Sequence, residues 1–276
     1  MTLTALDHMA MVVHDLDTAV DGYTRLLGRA PDWLGLSGPV RHAWFQLGNT
    51  ALDIIAPAGQ GPSGAWLAEH GEGLWGLAFA SDDIEAERKR LARLSMPSTD
   101  VMPIRTKSAD GEARIWPTSV LDSDATAGVT AFLIGETPDW PVAPASGDEA
   151  AAVSGLDHVV VSTRNPTRAA ALYGARLGLG FKLDRSNPDW GTRLMFFKVG
   201  DLVVEVAHQL KNELSDDPDS LWGLTWRVPD VAAAHARMTA AGLSLSEVRE
   251  GRKPGSRVFT VKDAPAGVPT LIIGPA

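Results

Sequence analysis

The chain has 276 residues, 45% of them hydrophobic, with a formal net charge of −9 and no cysteine. This length suits one large domain or two of ordinary size. The acidic balance argues against nucleic acid as a partner, because phosphate binding needs a basic surface. The lack of cysteine excludes disulfides, thiolate nucleophiles and sulfur-ligated metals. Any metal would therefore be held by His, Asp, Glu or Gln.

The sequence contains no pattern that predicts export or membrane insertion. The first residues show neither the basic nor the apolar region of a signal peptide. No apolar stretch approaches the ~20 residues that a membrane span needs. We therefore expect a soluble, cytoplasmic protein.

The first part of the chain has the pattern of a strand, a helix and three further strands. An N-cap at Asp15 precedes an apolar stripe with helical spacing over 16–27, and Gly28 suits the end of that helix. The turn Gly48-Asn49 is typical of a tight hairpin. The strands are predicted at 5–13, within 29–40, at 42–47 and at 50–55.

A second unit of the same kind follows a Gly/Pro-containing connection at 58–70. Its first strand is predicted at 73–80, and Asp83 begins a helix with a charged, solvated face. Further strands are expected around 114–120 and 129–134. The residues after this unit are rich in Ala, Ser, Gly and Pro, which is typical of a linker.

The whole pattern then starts again. His158, Tyr173 and Gly178 lie 150 positions after His8, Tyr23 and Gly28. Later matches, such as Leu74-Trp75-Gly76-Leu77 with 221–224, keep nearly the same offset. This regularity indicates an internal duplication. We therefore expect two domains, 1–136 and 154–276, joined by a linker at 137–153, each with two strand–helix–strand units.

Each half contains a His and a carboxylate within apolar strands: His8 with Asp53, and His158 with Glu205. Burying a carboxylate is costly unless it is paired or bound to a metal. The side chains either face solvent or make structural hydrogen bonds, or they form a site. The spacing does not decide between these interpretations, because a duplication preserves structural and functional residues alike.

These features resemble the vicinal oxygen chelate superfamily, which includes glyoxalase I, methylmalonyl-CoA epimerase, extradiol dioxygenases and bleomycin resistance proteins. The resemblance is carried by the strand with an opening His, the Tyr-x-x-x-Leu-Gly helix end, the Leu-Gly-Asn hairpin and the fourth-strand carboxylate. The stretches 47–57 and 71–84 are similar to the epimerase branch, and glyoxalase-like domain proteins are more similar still. The resemblance implies an α+β fold. Four βαβββ modules would form two cup-shaped, mostly antiparallel sheets with helices outside.

The resemblance also implies a divalent metal in each cup, held by residues of the first and fourth strands. It places these metal ligands on His8 and Asp53 in the first half, and on His158 and Glu205 in the second. Iron, manganese, zinc, nickel or magnesium is the implied ion.

The second unit of each half departs from the family pattern. Gly76 and Gly223 occupy the positions where a ligand His is expected, and the expected carboxylates fall near Phe132 and Leu271. Each cup then offers two ligands. Two ligands bind such ions weakly unless another group joins them.

Other residues are candidates for binding a substrate. A Trp beside each of these glycines suggests an aromatic-lined pocket. Alternatively these Trp residues pack in the core, since strand alternation places Trp75 on the face opposite Gly76. An Arg at the pocket mouth would suit a carboxylate or phenolate, and a His in the strand next to that of Asp53 could join either site. The predicted substrate-binding residues are His42, Trp75, Arg114, Trp116, Trp222 and Arg257.

Three functional hypotheses follow, and none of them assigns catalytic residues. The first, favoured because a His and an acid recur in both halves, is an enzyme that uses a metal as Lewis acid, with lyase, isomerase or dioxygenase chemistry. The second is a metal-free protein that binds or sequesters an aromatic or apolar compound, as bleomycin resistance proteins do. The third is a degenerate cup used for dimerisation. We expect a small-molecule ligand, no nucleic acid or membrane partner, and a monomer or homodimer.

Overall fold

The computed structural model describes residues 3–59 and 61–276, and within them the strands form two eight-stranded sheets. The first sheet contains β1 (Ala5–Val12), β2 (Trp33–Ser37), β3 (Val40–Gln46), β4 (Ala51–Ala56), β5 (Gly73–Ala80), β6 (Met102–Lys107), β7 (Ala113–Val120) and β8 (Thr130–Ile134). The second contains β9 (Gly155–Ser162), β10 (Gly180–Asn187), β11 (Thr192–Val199), β12 (Leu202–Gln209), β13 (Ser220–Arg227), β14 (Arg249–Glu250), β15 (Ser256–Val261) and β16 (Thr270–Pro275). The helices are α1 (Leu16–Leu27), α2 (Pro62–His70), α3 (Ile84–Arg93), α4 (Pro166–Ala170) and α5 (Val231–Ala240). The predicted α+β class is confirmed.

The first sheet closes into a barrel in the order β1-β4-β3-β2-β6-β7-β8-β5. β1 pairs in parallel with β4 and antiparallel with β5. On the opposite side β2 meets β6, where Leu36 pairs with Lys107. An open cup was predicted for this half. It closes because these two strands meet, and the inward side chains are thereby shielded from solvent.

The second sheet stays open, with the order β10-β11-β12-β9-β13-β16-β15-β14. Its edge strand β10 is exposed over nearly all its length. The other edge strand, β14, has only two residues. The cup predicted for this half is therefore observed. The strand orders also show that the first unit pairs with the second and the third with the fourth, a question the sequence left open.

The duplication is visible at the helix ends. The side chain of Asp15 accepts hydrogen bonds from the first-turn N–H groups of α1, and Gly28 ends the helix with a φ of 72°. Gly178 has a φ of 75° at the equivalent position. This left-handed conformation favours glycine, since it has no Cβ. The second copy differs in its helix, because α4 continues as a π-helical turn over Ala171–Arg176.

Two arginines join the halves by binding the helix ends of the opposite half. Arg237 of α5 donates to the carbonyls of Arg25 and Leu26 at the end of α1. Arg90 of α3 donates to the carbonyl of Arg176. Such cations satisfy carbonyls that have no partner within their own helix. One cluster of buried apolar side chains also runs through both halves, so the two sheets share a core.

The segment predicted to be a linker is packed against the barrel. The Trp140 ring lies 6.1 Å from that of Trp116, and Val153 donates its N–H to the carbonyl of Leu27. The connection predicted at 58–70 contains the helix α2, with Pro62 in its first turn, where a missing N–H has no cost. Among the helices in the described residues, none combines the length and hydropathy needed to cross a membrane.

Candidate functional site

The barrel of the first half encloses a cavity of about 220 Å³. Apolar and aromatic side chains dominate its lining, and a few polar groups are placed among them, as in many small-molecule sites. Its aromatic lining includes Trp33, Trp44, Trp75, Trp116 and Phe132. Its titratable lining includes His8, His42 and Asp53.

Asp53 and His42 form a buried, hydrogen-bonded pair in the cavity wall. The Nδ1 atom of His42 donates to both carboxylate oxygens, at 3.1 and 3.0 Å. Burial disfavours the imidazolium, but the attraction and hydrogen bond of Asp53 outweigh it and raise the pKa of His42 above its usual value. The sequence suggested a role for His42 beside the strand of Asp53. The structure shows that it is hydrogen-bonded to Asp53 in the cavity wall.

His8 lies on the neighbouring strand and contacts a different group. Its Nδ1 atom is 2.6 Å from Oδ1 of Asp7, and its ring centroid is 4.7 Å from that of Trp44. The strand register pairs His8 with Ala51, whereas Asp53 lies opposite Ala10. His8 and Asp53 thus line one cavity at different heights along the barrel.

This donor set does not fit the metal site that the family pattern implies. Within residues 3–59 and 61–276, no group of three or more His, Asp or Glu side chains is close enough to hold an ion. Both oxygens of Asp53 are bound by His42. At the position expected for a ligand, a Cβ on Gly76 would lie 2.7 Å from the ring of Phe132. An aromatic ring therefore occupies the space where further ligands are expected.

We predict that adding Fe²⁺, Mn²⁺, Zn²⁺, Ni²⁺ or Mg²⁺ leaves the Tm unchanged. A ligand at one hundred times its Kd stabilises a folded protein by about 2.7 kcal/mol, so site binding would be visible. Thermal unfolding followed by circular dichroism, with chelator-treated protein as reference, measures this. A rise in Tm that Asp53→Asn abolishes would contradict the prediction.

Trp75 reaches the cavity through a β-bulge. Ala10 pairs with Gly76 and Met11 with Leu74, which leaves Trp75 as the extra residue between them. A bulge redirects side chains relative to simple alternation. Trp75 therefore lines the cavity and contacts Phe132 edge-on, with ring centroids 5.4 Å apart. The alternation argument placed it on the other face, because the sequence period does not reveal a bulge.

Arg114 is buried two positions before Trp116 on β7 and is not among the residues that line the cavity. Its guanidinium lies between the rings of Trp33 and Trp140, at 4.6 and 4.3 Å from their centroids. It also donates to a carboxylate oxygen of Asp32 at 2.7 Å. Asp32 neutralises this cation, so Arg114 is a buried part of the wall. The predicted role at a pocket mouth does not match this position.

The equivalent residues of the second half lie on the open sheet. His158 has its Nδ1 atom 2.9 Å from Asp157 and its Nε2 atom 2.9 Å from the hydroxyl of Thr225. The nearest Glu205 oxygen is 3.6 Å from that Nε2 atom. Burial raises the pKa of Glu205, although His158 and Arg252 act in the opposite direction. These contacts engage both nitrogens of His158, so it fits a structural role better than metal binding.

The structure does not bring Trp222 and Arg257 together with His158 and Glu205. Trp222 lies at a bulge and is 57% exposed. Arg257 is exposed, and strand alternation places it on the face of Phe259, which packs against His235 of α5. The Arg114–Trp116 and Arg257–Phe259 pairs look alike in sequence, but they face opposite sides of their sheets.

The structure also adds residues that the sequence did not single out. Trp44 lies two positions after His42 on one strand, so alternation alone places both on the cavity side. Ser63 comes from α2, which was expected to be a loop. In the second half, Trp190 lies between the guanidinium groups of Arg185 and Arg252, at 4.8 and 4.1 Å. Only Trp44 had a pattern in the sequence that could have identified it.

Known proteins share this architecture. A mutant of 4-hydroxymandelate synthase from Streptomyces coelicolor has 16% identity and a TM-score of 0.70, with 100% of this chain and 93% of that chain covered. BphC, a halotolerant catechol dioxygenase, has 10% identity and a TM-score of 0.66, with 99% of this chain and 87% of that chain covered. At such identities the likeness shows the fold alone. No curated protein matches the sequence.

The family assignment rests on a sequence model that matches both halves. The model of the glyoxalase/bleomycin resistance protein/dioxygenase superfamily matches residues 7–110 and 157–260, which together exceed half of the chain. This confirms the resemblance noted in the sequence. The chain belongs to the glyoxalase/bleomycin resistance protein/dioxygenase superfamily.

Proposed function

We propose that this protein binds a small, flat aromatic compound inside the barrel of its first half. The observation that supports the proposal is the aromatic lining of a cavity of about 220 Å³. An apolar cavity of about 150 Å³ holds benzene. The barrel therefore has room for one substituted ring.

The arrangement of the rings suits such a ligand. The Trp44 and Trp116 rings are tilted, with centroids 4.9 Å apart, and Trp75 contacts Phe132 edge-on. Aromatic pairs in these geometries contribute about 0.5–1.5 kcal/mol beyond the burial of their surface. The His42–Asp53 pair adds a polar group that can orient the bound compound.

A second candidate is a reaction on the bound compound. Similar folds include a 4-hydroxymandelate synthase and a catechol dioxygenase. The specific observation in its favour is His42, which lines the cavity, is held by Asp53 through Nδ1 and has a raised pKa. A histidine oriented by a carboxylate is a common general acid or base. Incubating bound aromatic compounds with protein and following them by mass spectrometry tests this, with His42→Gln as control.

The duplication provides a matched test of the binding proposal. Trp75→Ala is expected to raise the Kd for toluene or phenol about tenfold, because one aromatic contact is lost from a buried site. Trp222→Ala, the equivalent substitution on the exposed face of the second half, should leave the Kd unchanged. Isothermal titration calorimetry measures both. Equal effects of the two substitutions, or no binding to the original protein, would overturn the proposal.

A further inference from the structure

We infer that the barrel cavity holds the acidic substituent of an aromatic acid, a carboxylate, between the N-terminus of α2, Ser63 and His42. This inference rests on the proposed function and makes its ligand more specific.

The polar and aromatic ends of the cavity are set by the strand register. His8, whose ring is tilted against that of Trp44, lies opposite Ala51, whereas Val12 lies opposite Ile55 at the other end of β1. Four residues of strand span about 13 Å at 3.3 Å per residue. β4 ends just after Ile55 and leads into α2. On β3, Trp44 pairs with Asp53 and His42 pairs with Ile55. His42 is therefore nearer than Trp44 to the end of β4 that leads into α2.

The start of α2 provides donors for an anion in the N–H groups of Ser63 and Gly64, since Pro62 has no N–H. The first N–H groups of a helix have no partner within it, and the helix dipole favours negative charge there. Among the described residues no side chain caps α2, and its first turn contains no acidic residue. By contrast, Asp15 and Asp83 cap α1 and α3.

Two buried side chains that line the cavity, Ser63 and His42, each have a polar atom available for a ligand. Ser63, in the first turn of α2, lines the cavity and is only 9% exposed. Within the described part of the chain, its hydroxyl has no hydrogen-bond partner in the protein. His42 is 8% exposed. Its Nδ1 atom is bound by Asp53, and its Nε2 atom has no protein partner in the described ranges. Both residues line the cavity, so a ligand inside it can accept hydrogen bonds from these two atoms.

The surrounding charges admit an anion at this end of the cavity. Both carboxylate oxygens of Asp53 are paired with Nδ1 of His42. Arg114, outside the cavity lining, is paired with Asp32. Ser63, His42 and the helix N-terminus are thus the donors that a carboxylate can meet, while its ring packs against the tryptophans.

Benzoate and benzamide test this, because they have nearly the same shape and differ in charge. We expect benzoate to bind about tenfold more tightly than benzamide, as charge-assisted hydrogen bonds exceed neutral ones. Ser63→Ala and His42→Gln should each remove most of this preference, because each weakens benzoate binding more than benzamide binding. Ser63→Thr, which keeps the hydroxyl, should retain the preference. Ser37→Ala, another cavity serine on β2, is the matched control.

Calorimetric titrations with both probes and with toluene separate the possible failures. If toluene and benzamide bind but benzoate has no advantage, the inference is wrong and the proposed function stands. If Ser63→Ala weakens both probes equally, Ser63 shapes the cavity and does not bind the carboxylate, and the inference is again wrong. If none of the three probes binds, both proposals are overturned.

Discussion

Replacing Arg114 with alanine is expected to lower the free energy of unfolding by about 3–5 kcal/mol, the cost of breaking a buried ion pair. The guanidinium is 6% exposed and Asp32, its partner, is 4% exposed. Without Arg114, the carboxylate of Asp32 stays buried without its cation, and the contacts with Trp33 and Trp140 are lost. Urea unfolding followed by tryptophan fluorescence measures the change.

An exposed arginine provides the control for this prediction. Arg257→Ala removes the same side chain from the surface of the second half and should change stability by less than about 0.5 kcal/mol. Combining Arg114→Met with Asp32→Asn removes both charges and should recover part of the loss, because no uncompensated ion is then buried. A loss below about 1 kcal/mol for Arg114→Ala would show that Asp32 finds another partner or reaches solvent.

Introducing histidine at Gly76, where the family pattern expects a ligand, should destabilise the protein by about 1–3 kcal/mol, the usual cost of overpacking. The new Cβ would lie 2.7 Å from the ring of Phe132 and 3.1 Å from the carbonyl oxygen of Thr130. The ring or the strand must then shift. The midpoint of urea unfolding reports the loss.

A double-mutant cycle isolates the contact with Phe132. Phe132→Ala makes room for the imidazole, so the double substitution should cost less than the sum of the single ones. Gly147→His is the control, since a Cβ at Gly147 has no atom within 4 Å in the described residues, and it should be nearly neutral. Strict additivity would mean that Phe132 does not exclude a side chain at Gly76.

The residues that line the cavity could be predicted in part from the sequence. The pattern of the strands identified His8, Asp53 and Trp75 as residues of interest, and all three line the cavity. Their contacts could not be predicted from periodicity: His8 bonds to its neighbour Asp7, Asp53 pairs across a hairpin, and Trp75 depends on a bulge. Asp53 pairs with His42, and Arg114 pairs with Asp32, which is 82 positions away. Hydrophobic periodicity carries no information about such pairs.

The sequence by itself determined the modules, their duplication and the family of this protein. Strand and helix periods, capping residues such as Asp15 and Gly28, and the repeat offset are local properties, so they can be read without coordinates. Only the tertiary structure decided that the first half closes into a barrel and the second stays open. Closure depends on β2 meeting β6, and two strands of similar pattern meet or remain apart according to the register of the whole sheet. The same register places the ring of Phe132 beside Gly76, where the family pattern expects a metal ligand.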